Sequence, residues 1–325
     1  MNLESLAKLA GVSPSTVSKV FSDSKEVSQK TKEQVIKIAK EHGCFEKYNK
    51  NRFPKRVIGV ICPEINGDYY NATVTYLNNL IQEQGDIMTL SVSDFSRDKA
   101  SEIYEYFTNY IKTDAVILLD SRASFTNEDL VPTVVISGGT KATQGFSLIS
   151  SNMENAIKDA VTHLVKGGCK TIGFAGEQLT VSRKNKLKAE LVKQGVAVDE
   201  RFFVNAPHRF EKAGVYAVEK WIKQGIMPDA IVGAYDFIAI GCIKALKENG
   251  YRVPEDVAVI GMDDVARAEY LETPLSSIHY SMRTACRLAI DMINEKLKNK
   301  YYMSGSVTIL DAGFVPRKSS QKPLK

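Results

Sequence analysis

The sequence is poor in the residues that build metal sites and disulfide frameworks. Among its 325 residues there are four histidines, which lie far apart, and five cysteines, none of which forms a CxxC pair. The cysteines are therefore predicted to be buried, reduced thiols rather than zinc ligands or disulfides. No metal and no other cofactor is expected.

Several longer patterns are also absent. No apolar run approaches the roughly 18 residues of a membrane span, and Glu4 and Lys8 stand where a signal peptide would be hydrophobic. We therefore expect a cytoplasmic protein. No GxGxxG, phosphate-binding loop or nucleophile elbow is present. These absences argue against an enzyme.

The first forty residues have the pattern of three short helices. Apolar residues recur at helical spacing over residues 3–10. Gly11 then allows a tight turn, and Ser13 followed by Pro14 is typical of a helix start. A third helix is predicted over residues 29–42. This pattern predicts a helix-turn-helix, whose second helix can enter the DNA major groove. The alternative is an ordinary helical hairpin.

The positive charge of the chain is concentrated in the same segment. Residues 1–56 carry twelve Lys or Arg against six acids, a net charge of +6 within a total of +5, so the other 269 residues sum to −1. A basic module on a near-neutral body is expected of a protein that contacts DNA phosphates. A solvated basic face without a partner is the alternative.

From residue 57 onward, apolar runs alternate with helical stretches. The predicted strands are residues 57–62, 86–92, 115–119, 133–136, 171–175, 229–233 and 257–261. The predicted helices are roughly 69–84, 97–112, 153–167, 183–195, 211–224, 237–249 and 282–298. This alternation predicts parallel sheets built of βαβ units, and the number of units predicts two α/β subdomains. Ligands of such sheets bind beyond the carboxyl ends of the strands.

The chain resembles the lactose/galactose repressor (LacI/GalR) family over nearly its whole length. The resemblance is carried by GVSPSTVSK (11–19), VSQKT (27–31), IGVICPEI (58–65), DFIAIG (236–241) and VPEDVAVIG (253–261). It implies a small all-α helix-turn-helix headpiece and an α/β core of two doubly wound parallel-sheet subdomains, similar to periplasmic sugar-binding proteins. Three crossovers would join the subdomains, with an effector in the cleft between them.

The predicted domains follow from this resemblance and from the composition. They are a headpiece over 1–43, a hinge or linker over 44–56, and a core over 57–325. In the core, one subdomain is assigned about 57–151 plus 280–303, and the other about 152–279 plus 304–325.

The resemblance implies a DNA-binding set on the headpiece: Ser13, Pro14, Ser15, Thr16, Ser18, Lys19, Ser28 and Thr31. Ser15 and Lys19 are predicted to contact base edges, with a phosphate contact as the alternative for Lys19. Pro14 offers apolar contact to a thymine methyl or only starts the helix. Thr16, Ser18 and Ser28 are predicted to hold phosphates.

The linker departs from the family pattern. Members usually carry a hinge helix whose leucines wedge into the minor groove, and the corresponding positions here are Glu46, Lys47, Lys50 and Phe53. Only Phe53 has the apolar character of a wedge. The alternative is that Phe53 packs against the core and no hinge helix forms.

The resemblance also implies an effector-binding set: Tyr69, Tyr70, Ser137, Arg183, Tyr235, Asp236, Asp263 and Tyr280. Arg183 and Asp263 match the positions that grip sugar hydroxyls, whereas Tyr235 and Ser137 replace the usual asparagine and acid. Tyrosine faces and an arginine suit a sugar or glycoside. Each residue has a plain alternative, such as a surface ion pair for Arg183, a helix cap for Asp263, or rim packing for Tyr235.

The function predicted from the sequence is a DNA-binding transcriptional regulator, a repressor of carbohydrate-utilisation genes controlled by a sugar-like effector. A homodimer reading a pseudo-palindromic operator is expected, and residues 313–325 lack the leucine heptads of a tetramerising tail. The alternatives are an enzyme with a DNA-binding appendage and a secreted sugar-binding module. Effector identity, operator sequence and the choice between induction and co-repression stay open.

Overall fold

A computed structural model describes residues 1–49, 56–120, 131–137, 145–299 and 305–322. Lys50 and Phe53 of the predicted hinge lie outside the described residues, so the wedge stays a prediction. None of the described helices combines the length and apolar composition that crossing a membrane requires.

The N-terminal segment forms the predicted helix-turn-helix. Its helices are α1 (Leu3–Ala10), α2 (Pro14–Phe21), α3 (Gln29–Glu41) and α4 (Phe45–Asn49). Gly11 ends α1 with a left-handed φ of 66°, a conformation that costs glycine little. Ser13 caps α2 by accepting from the Thr16 amide, as predicted for a Ser-Pro helix start.

The headpiece extends beyond its predicted end at residue 43. Phe45 and Tyr48, in α4, pack on Phe21, with ring centroids 6.3 and 5.4 Å apart. Cys44 is buried in the same small core. The assignment of 44–49 to a linker is therefore wrong. The segment looked polar because Cys44, Phe45 and Tyr48 stand among charged and polar residues.

The core contains two six-stranded sheets. The strands of the first sheet are β1 (Val57–Cys62), β2 (Ile87–Val92), β3 (Ala115–Leu118), β4 (Thr133–Ser137), β5 (Ser147–Asn152) and β11 (Val307–Asp311). Those of the second are β6 (Ile172–Glu177), β7 (Phe203–Ala206), β8 (Ala230–Gly233), β9 (Ala258–Asp263), β10 (Ser276–His279) and β12 (Gly313–Val315). The strand orders are β11-β5-β4-β3-β1-β2 and β12-β10-β9-β8-β6-β7. Among the described strands, the β10–β12 pair alone is antiparallel.

Helices connect the strands and cover both sheets. They are α5 (Asp68–Glu83), α6 (Arg97–Glu105), α7 (Glu154–Lys166), α8 (Val181–Lys193), α9 (Glu211–Lys223), α10 (Asp236–Glu248) and α11 (Met282–Lys298). The helix predicted over 97–112 is α6 followed by a π-helical turn, Tyr106–Ile111. The fold class predicted from the sequence is confirmed.

The chain passes between the two sheets three times, after β5, after β10 and after β11. One boundary was wrong: β11 pairs with β5 and so belongs to the first sheet, not to the second subdomain with the rest of 304–325. Ile309 and Val307 of β11 are exposed, and this open edge gave no buried-strand pattern in the sequence.

The strands that the sequence did not predict are short or rich in polar residues. β5 reads SLISSN, β7 reads FVNA and β10 reads SSIH. Most of the strands that were predicted, such as β1 and β8, are apolar runs typical of strands buried on both faces. β5 and β10 are also largely buried, but this cannot be read from their composition.

Candidate functional site

Helix α2 turns one face inward and the other to solvent. Val17, Val20 and Phe21 are buried in the headpiece core. The predicted contact residues Pro14, Ser15, Ser18 and Lys19 are exposed, and Thr16 is half-buried. The structure therefore brings the predicted contacts of α2 together on one surface, which is the arrangement that a helix in the major groove needs.

Two of the residues predicted to contact DNA, Ser13 and Ser28, cap the N-termini of helices. The Ser13 hydroxyl accepts from the Thr16 amide at 3.0 Å and lies 2.7 Å from the Ser15 hydroxyl. Ser28 accepts from the Thr31 amide at 3.2 Å, and their hydroxyls are 2.8 Å apart. Both caps stabilise helix ends whose free amide groups favour phosphate oxygens.

Lys19 forms an ion pair with Glu26, and both side chains are largely exposed. The lysine holds the pKa of Glu26 below its usual range through their hydrogen bond. A base or phosphate contact by Lys19 must therefore replace this pair. Exposed pairs contribute little to stability, so the exchange costs little.

In the core, a cavity of about 380 Å³ lies where the two sheets face each other. Five predicted effector residues line it: Tyr69, Tyr70, Ser137, Arg183 and Tyr280. The two neighbouring tyrosines belong to α5, and Ser137 ends β4. Arg183 lies in the first turn of α8. The site is thus built from both subdomains at the carboxyl ends of the strands, as expected for open α/β sheets.

Arg183 is held by three groups. Its Nη1 donates to the Ala234 carbonyl at 2.5 Å, and its Nη2 donates to Asp263 Oδ1 at 3.2 Å. The guanidinium carbon lies 5.7 Å from the centre of the Tyr280 ring. Arg183 is therefore oriented before any ligand binds, which lowers the entropic cost of using its remaining donor capacity.

Burial keeps the hydroxyl groups of this site neutral. It raises the pKa of Tyr280 to about 12 and the pKa of Tyr69 and Tyr70 above their usual range. The Tyr280 hydroxyl is buried and has no hydrogen-bond partner within the described structure. A buried hydroxyl without a partner costs free energy unless a ligand or a water forms a hydrogen bond with it. A polar ligand that bonds the Tyr280 hydroxyl would therefore recover that free energy.

Asp263 lies beside the cavity and contacts it through Arg183. Burial raises the pKa of Asp263 to about 6, and the Arg183 guanidinium opposes that rise. The residue has a φ of 106°, which is unusual for a non-glycine residue and typical of positions that the surrounding structure constrains for function.

Asp236 and Tyr235 do not line this cavity. Asp236 accepts from the Ser277 hydroxyl at 2.6 Å and from the Val265 amide at 2.7 Å, and it is fully buried. Burial and the nearby Asp263 raise its pKa well above the usual range. Asp236 therefore acts inside the second subdomain. The Tyr235 hydroxyl accepts from the Phe210 amide at 2.9 Å in a neighbouring recess.

Four of the cleft residues missing from the predicted effector set carry a charge or an aromatic ring and come from different elements. Asp120 follows β3 and Phe95 follows β2, and both line the cavity. Inspection of the residues after these two predicted strands would have found them. Arg209 follows the unpredicted strand β7 and pairs with Glu64 across the cleft. Lys186, one turn along α8 from Arg183, also lines the cavity.

The described residues contain no cluster of three or more His, Cys, Asp or Glu placed to hold a metal. All five cysteines are buried and free, as predicted. A helix-turn-helix headpiece joined to a two-sheet core with a polar, tyrosine-lined cleft defines the class of DNA-binding regulators that respond to a small ligand.

Comparison with protein-family models agrees with this architecture. Residues 2–44 match the model for bacterial regulatory proteins of the lacI family, and residues 161–320 match a periplasmic binding protein-like domain.

Among curated proteins, the transcriptional regulator MalR of Clostridium butyricum is 28% identical over 98% of this chain and 99% of its own length. The transcriptional repressor PurR of Vibrio atlanticus is 25% identical over 92% of both chains.

Solved structures show the same fold. A LacI-family regulator from Silicibacter pomeroyi superposes with a TM-score of 0.76 at 19% identity, covering 99% of this chain and 100% of its own. A complex of the transcriptional regulator CelR with cellobiose gives a TM-score of 0.68 at 23% identity, covering 98% and 99%. The chain belongs to the LacI/GalR family. It is a DNA-binding transcriptional regulator and not an enzyme, as the sequence predicted.

Proposed function

We propose that this chain represses carbohydrate-utilisation genes. Its affinity for the operator falls or rises when a sugar-like effector binds in the cleft. The observation that carries the proposal is the composition of the cavity wall. Arg183 is already oriented, the Tyr280 hydroxyl is buried without a partner in the described structure, and Tyr69 and Tyr70 offer ring faces. A pyranose has C–H faces for such rings and hydroxyl edges for such donors.

The named relatives support a sugar-like effector and a repressor role. The CelR structure contains cellobiose, and the PurR relative is named a repressor. On this proposal Tyr69, Tyr70, Ser137, Arg183 and Tyr280 contact the effector directly. Asp263 orients Arg183, and Asp236 stabilises the β9 end from within the subdomain.

The exposed face of α2 supports the DNA-binding half of the proposal. Ser15 and Lys19 would read base edges, while Thr16, Ser18 and the N-terminus of α3 at Ser28 would hold phosphates. One short helix reads few base pairs, so a homodimer on a pseudo-palindromic operator is proposed, joined through the first subdomain. Sedimentation as a monomer at micromolar concentration would contradict the dimer. Operator DNA lies in the cytoplasm, where we place the protein.

The coupling between cleft and operator is a free energy shared by the two sites. Effector binding would change the angle between the subdomains and thereby the spacing of the two headpieces. Such couplings are typically about 1–3 kcal/mol and act equally in both directions. Weaker operator binding with effector would identify induction, and stronger binding would identify co-repression.

The proposal is tested with the full-length chain in two stages. Sugars, glycosides and sugar phosphates are first screened for a rise in unfolding temperature, because a ligand that binds the folded state stabilises it by RT ln(1 + [L]/Kd). Binders are then added to the protein on a duplex selected from a random pool. A binder must change duplex affinity at least fivefold, which is the lower end of a coupling of about 1–3 kcal/mol.

Tyr280→Phe gives the matched control because it removes the unpartnered hydroxyl and leaves the ring in place. We expect it to weaken binding of the effector without lowering the unfolding temperature of the free protein, since that hydroxyl makes no hydrogen bond within the described structure. Full effector affinity in this variant, or a binder that leaves duplex affinity unchanged, would refute the proposed site.

A further inference from the structure

A smaller recess adjoins the cavity. Its volume is about 130 Å³, against about 380 Å³ for the cavity. The two share Tyr69, Tyr70, Phe95, Leu179 and Arg183 as walls. The cavity and the recess are therefore neighbouring compartments, separated by the side chains that both contact.

The recess contains an arginine, Arg209. Arg209 forms a two-pronged pair with Glu64, at 2.7 Å from Nη1 and 2.9 Å from Nη2. Its guanidinium lies between the rings of Phe95 and Phe210, with its carbon 4.8 Å from each ring centre. The Nε of Arg209 is buried and has no hydrogen-bond partner in the described part of the chain.

Opposite this donor is the carboxylate of Glu177, which caps the short helical turn after β6. Glu177 is only 2% exposed, and its Oε2 accepts from the Leu179 amide at 2.8 Å. Its Oε1 lies 3.9 Å from Arg209 Nε, which is too far for a direct hydrogen bond. An oxygen placed about 2.8 Å from both atoms would accept from Nε and donate to Oε1. A hydroxyl group does both at once.

The other walls of the recess are aromatic. Phe210, Phe237 and Tyr235 line it. Phe210 has a φ of 57° and ψ of −145°, a conformation that is costly for a residue with a side chain. The hydrogen bond from its amide to the Tyr235 hydroxyl holds it there. The fold thus maintains an unfavourable backbone conformation that places a ring against the recess.

We propose that the effector has two linked rings, one in the cavity beside Arg183 and the second in the recess, where one of its hydroxyl groups bridges Glu177 and Arg209. This inference rests on the proposed function and narrows the effector to disaccharides and comparable glycosides. Because a site built to hydrogen-bond a hydroxyl leaves buried polar groups unpaired without it, a single-ring sugar should bind much more weakly.

The test is isothermal titration of the full-length protein with cellobiose, maltose, lactose, sucrose and trehalose, each beside its component monosaccharides. We expect at least one disaccharide to bind about tenfold or more tightly than its components. Glu177→Gln should abolish that advantage, because glutamine can still accept from Leu179 but offers the recess an amide.

A second variant and a control address folding. Arg209→Lys keeps a positive charge for Glu64 but lacks Nε, so it should lose the same advantage. Glu190→Gln is the matched control, since Glu190 is also buried but bonds Gln194 on α8 and lines none of the described cavities. It should behave like the native protein.

Two results would overturn the inference. If a monosaccharide binds as tightly as its disaccharide, or if Glu177→Gln and Arg209→Lys keep the disaccharide advantage, the recess holds only water and the sugar-responsive function stands. If neither the disaccharides nor the monosaccharides bind, the proposed sugar-responsive function is wrong, and the proposal of a two-ring effector is wrong with it.

Discussion

Replacing Arg183 should destabilise the second subdomain by an amount that depends on pH. Arg183 is the counter-ion of Asp263 and donates to the Ala234 carbonyl. Their side chains are 27% and 11% exposed. Removing one partner of a fully buried pair costs roughly 3–5 kcal/mol, and partial exposure reduces this cost. We expect Arg183→Gln to lower the free energy of unfolding by about 2 kcal/mol at pH 7.5.

The pH dependence follows from Asp263, whose pKa burial raises to about 6. An acid with a raised pKa binds protons more tightly in the folded state, so stability falls as pH rises from the unfolded pKa through the folded one. Without Arg183 that pKa rises further, and the fall continues above pH 6. At pH 5 Asp263 is already protonated, so the loss should shrink to about 1 kcal/mol, the contribution of the lost hydrogen bond.

Trp221 provides the measurement. It is the single tryptophan of the chain, and it is buried in the hydrophobic core of the second subdomain. Urea unfolding followed by its fluorescence at pH 5 and 7.5 reports on the subdomain that holds Arg183 and Asp263. In a double-mutant cycle, Asp263→Asn should remove the pH dependence of the Arg183→Gln loss. Equal losses at both pH values, or additive effects in the cycle, would refute the reasoning.

Three further predictions concern the headpiece and linker. Ser13→Ala removes the cap on α2 and should lower headpiece stability by about 1 kcal/mol, measured by hydrogen exchange at the Thr16 amide. Glu26→Gln frees Lys19 from its ion pair and should tighten binding to a random duplex, whereas Lys19→Ala should weaken it and reduce the salt slope by about one. Equal affinity of the native protein and these two variants would show that Lys19 does not contact the DNA. Phe53→Ala should reduce operator affinity and bending, and unchanged values of both would rule out a minor-groove wedge.

The local features of the headpiece could be read from the sequence because each depends on near neighbours. Ser13 and Ser28 each cap a helix by accepting from an amide three residues further along, and Gly11 takes the left-handed turn that its position requires. Helix α4 was not predicted, since its apolar residues are too few to give a helical period.

The cleft could be predicted only in part, because its residues come from distant parts of the chain. Arg183 and Asp263 match family positions and do meet in the structure. Asp236 matches a family position equally well, yet its carboxylate turns to Ser277 and Val265, a direction that residue type and spacing do not encode. Arg209 could not be predicted as a cleft residue, because β7, the strand before it, is too short and too mixed in polarity to be recognised.

Strand β1 joins a cluster of side chains at the cleft to a second cluster around Arg56. At its carboxyl end, Glu64 holds Arg209 across the cleft. At its amino end, Arg56 donates to Asp86 at 2.8 Å, to Asn294 at 2.8 Å and to Gln84 at 2.9 Å. The six residues of the strand, at about 3.3 Å each, span roughly 20 Å. For the coupling proposed between effector and operator, β1 offers a packed physical route from Glu64 to Arg56.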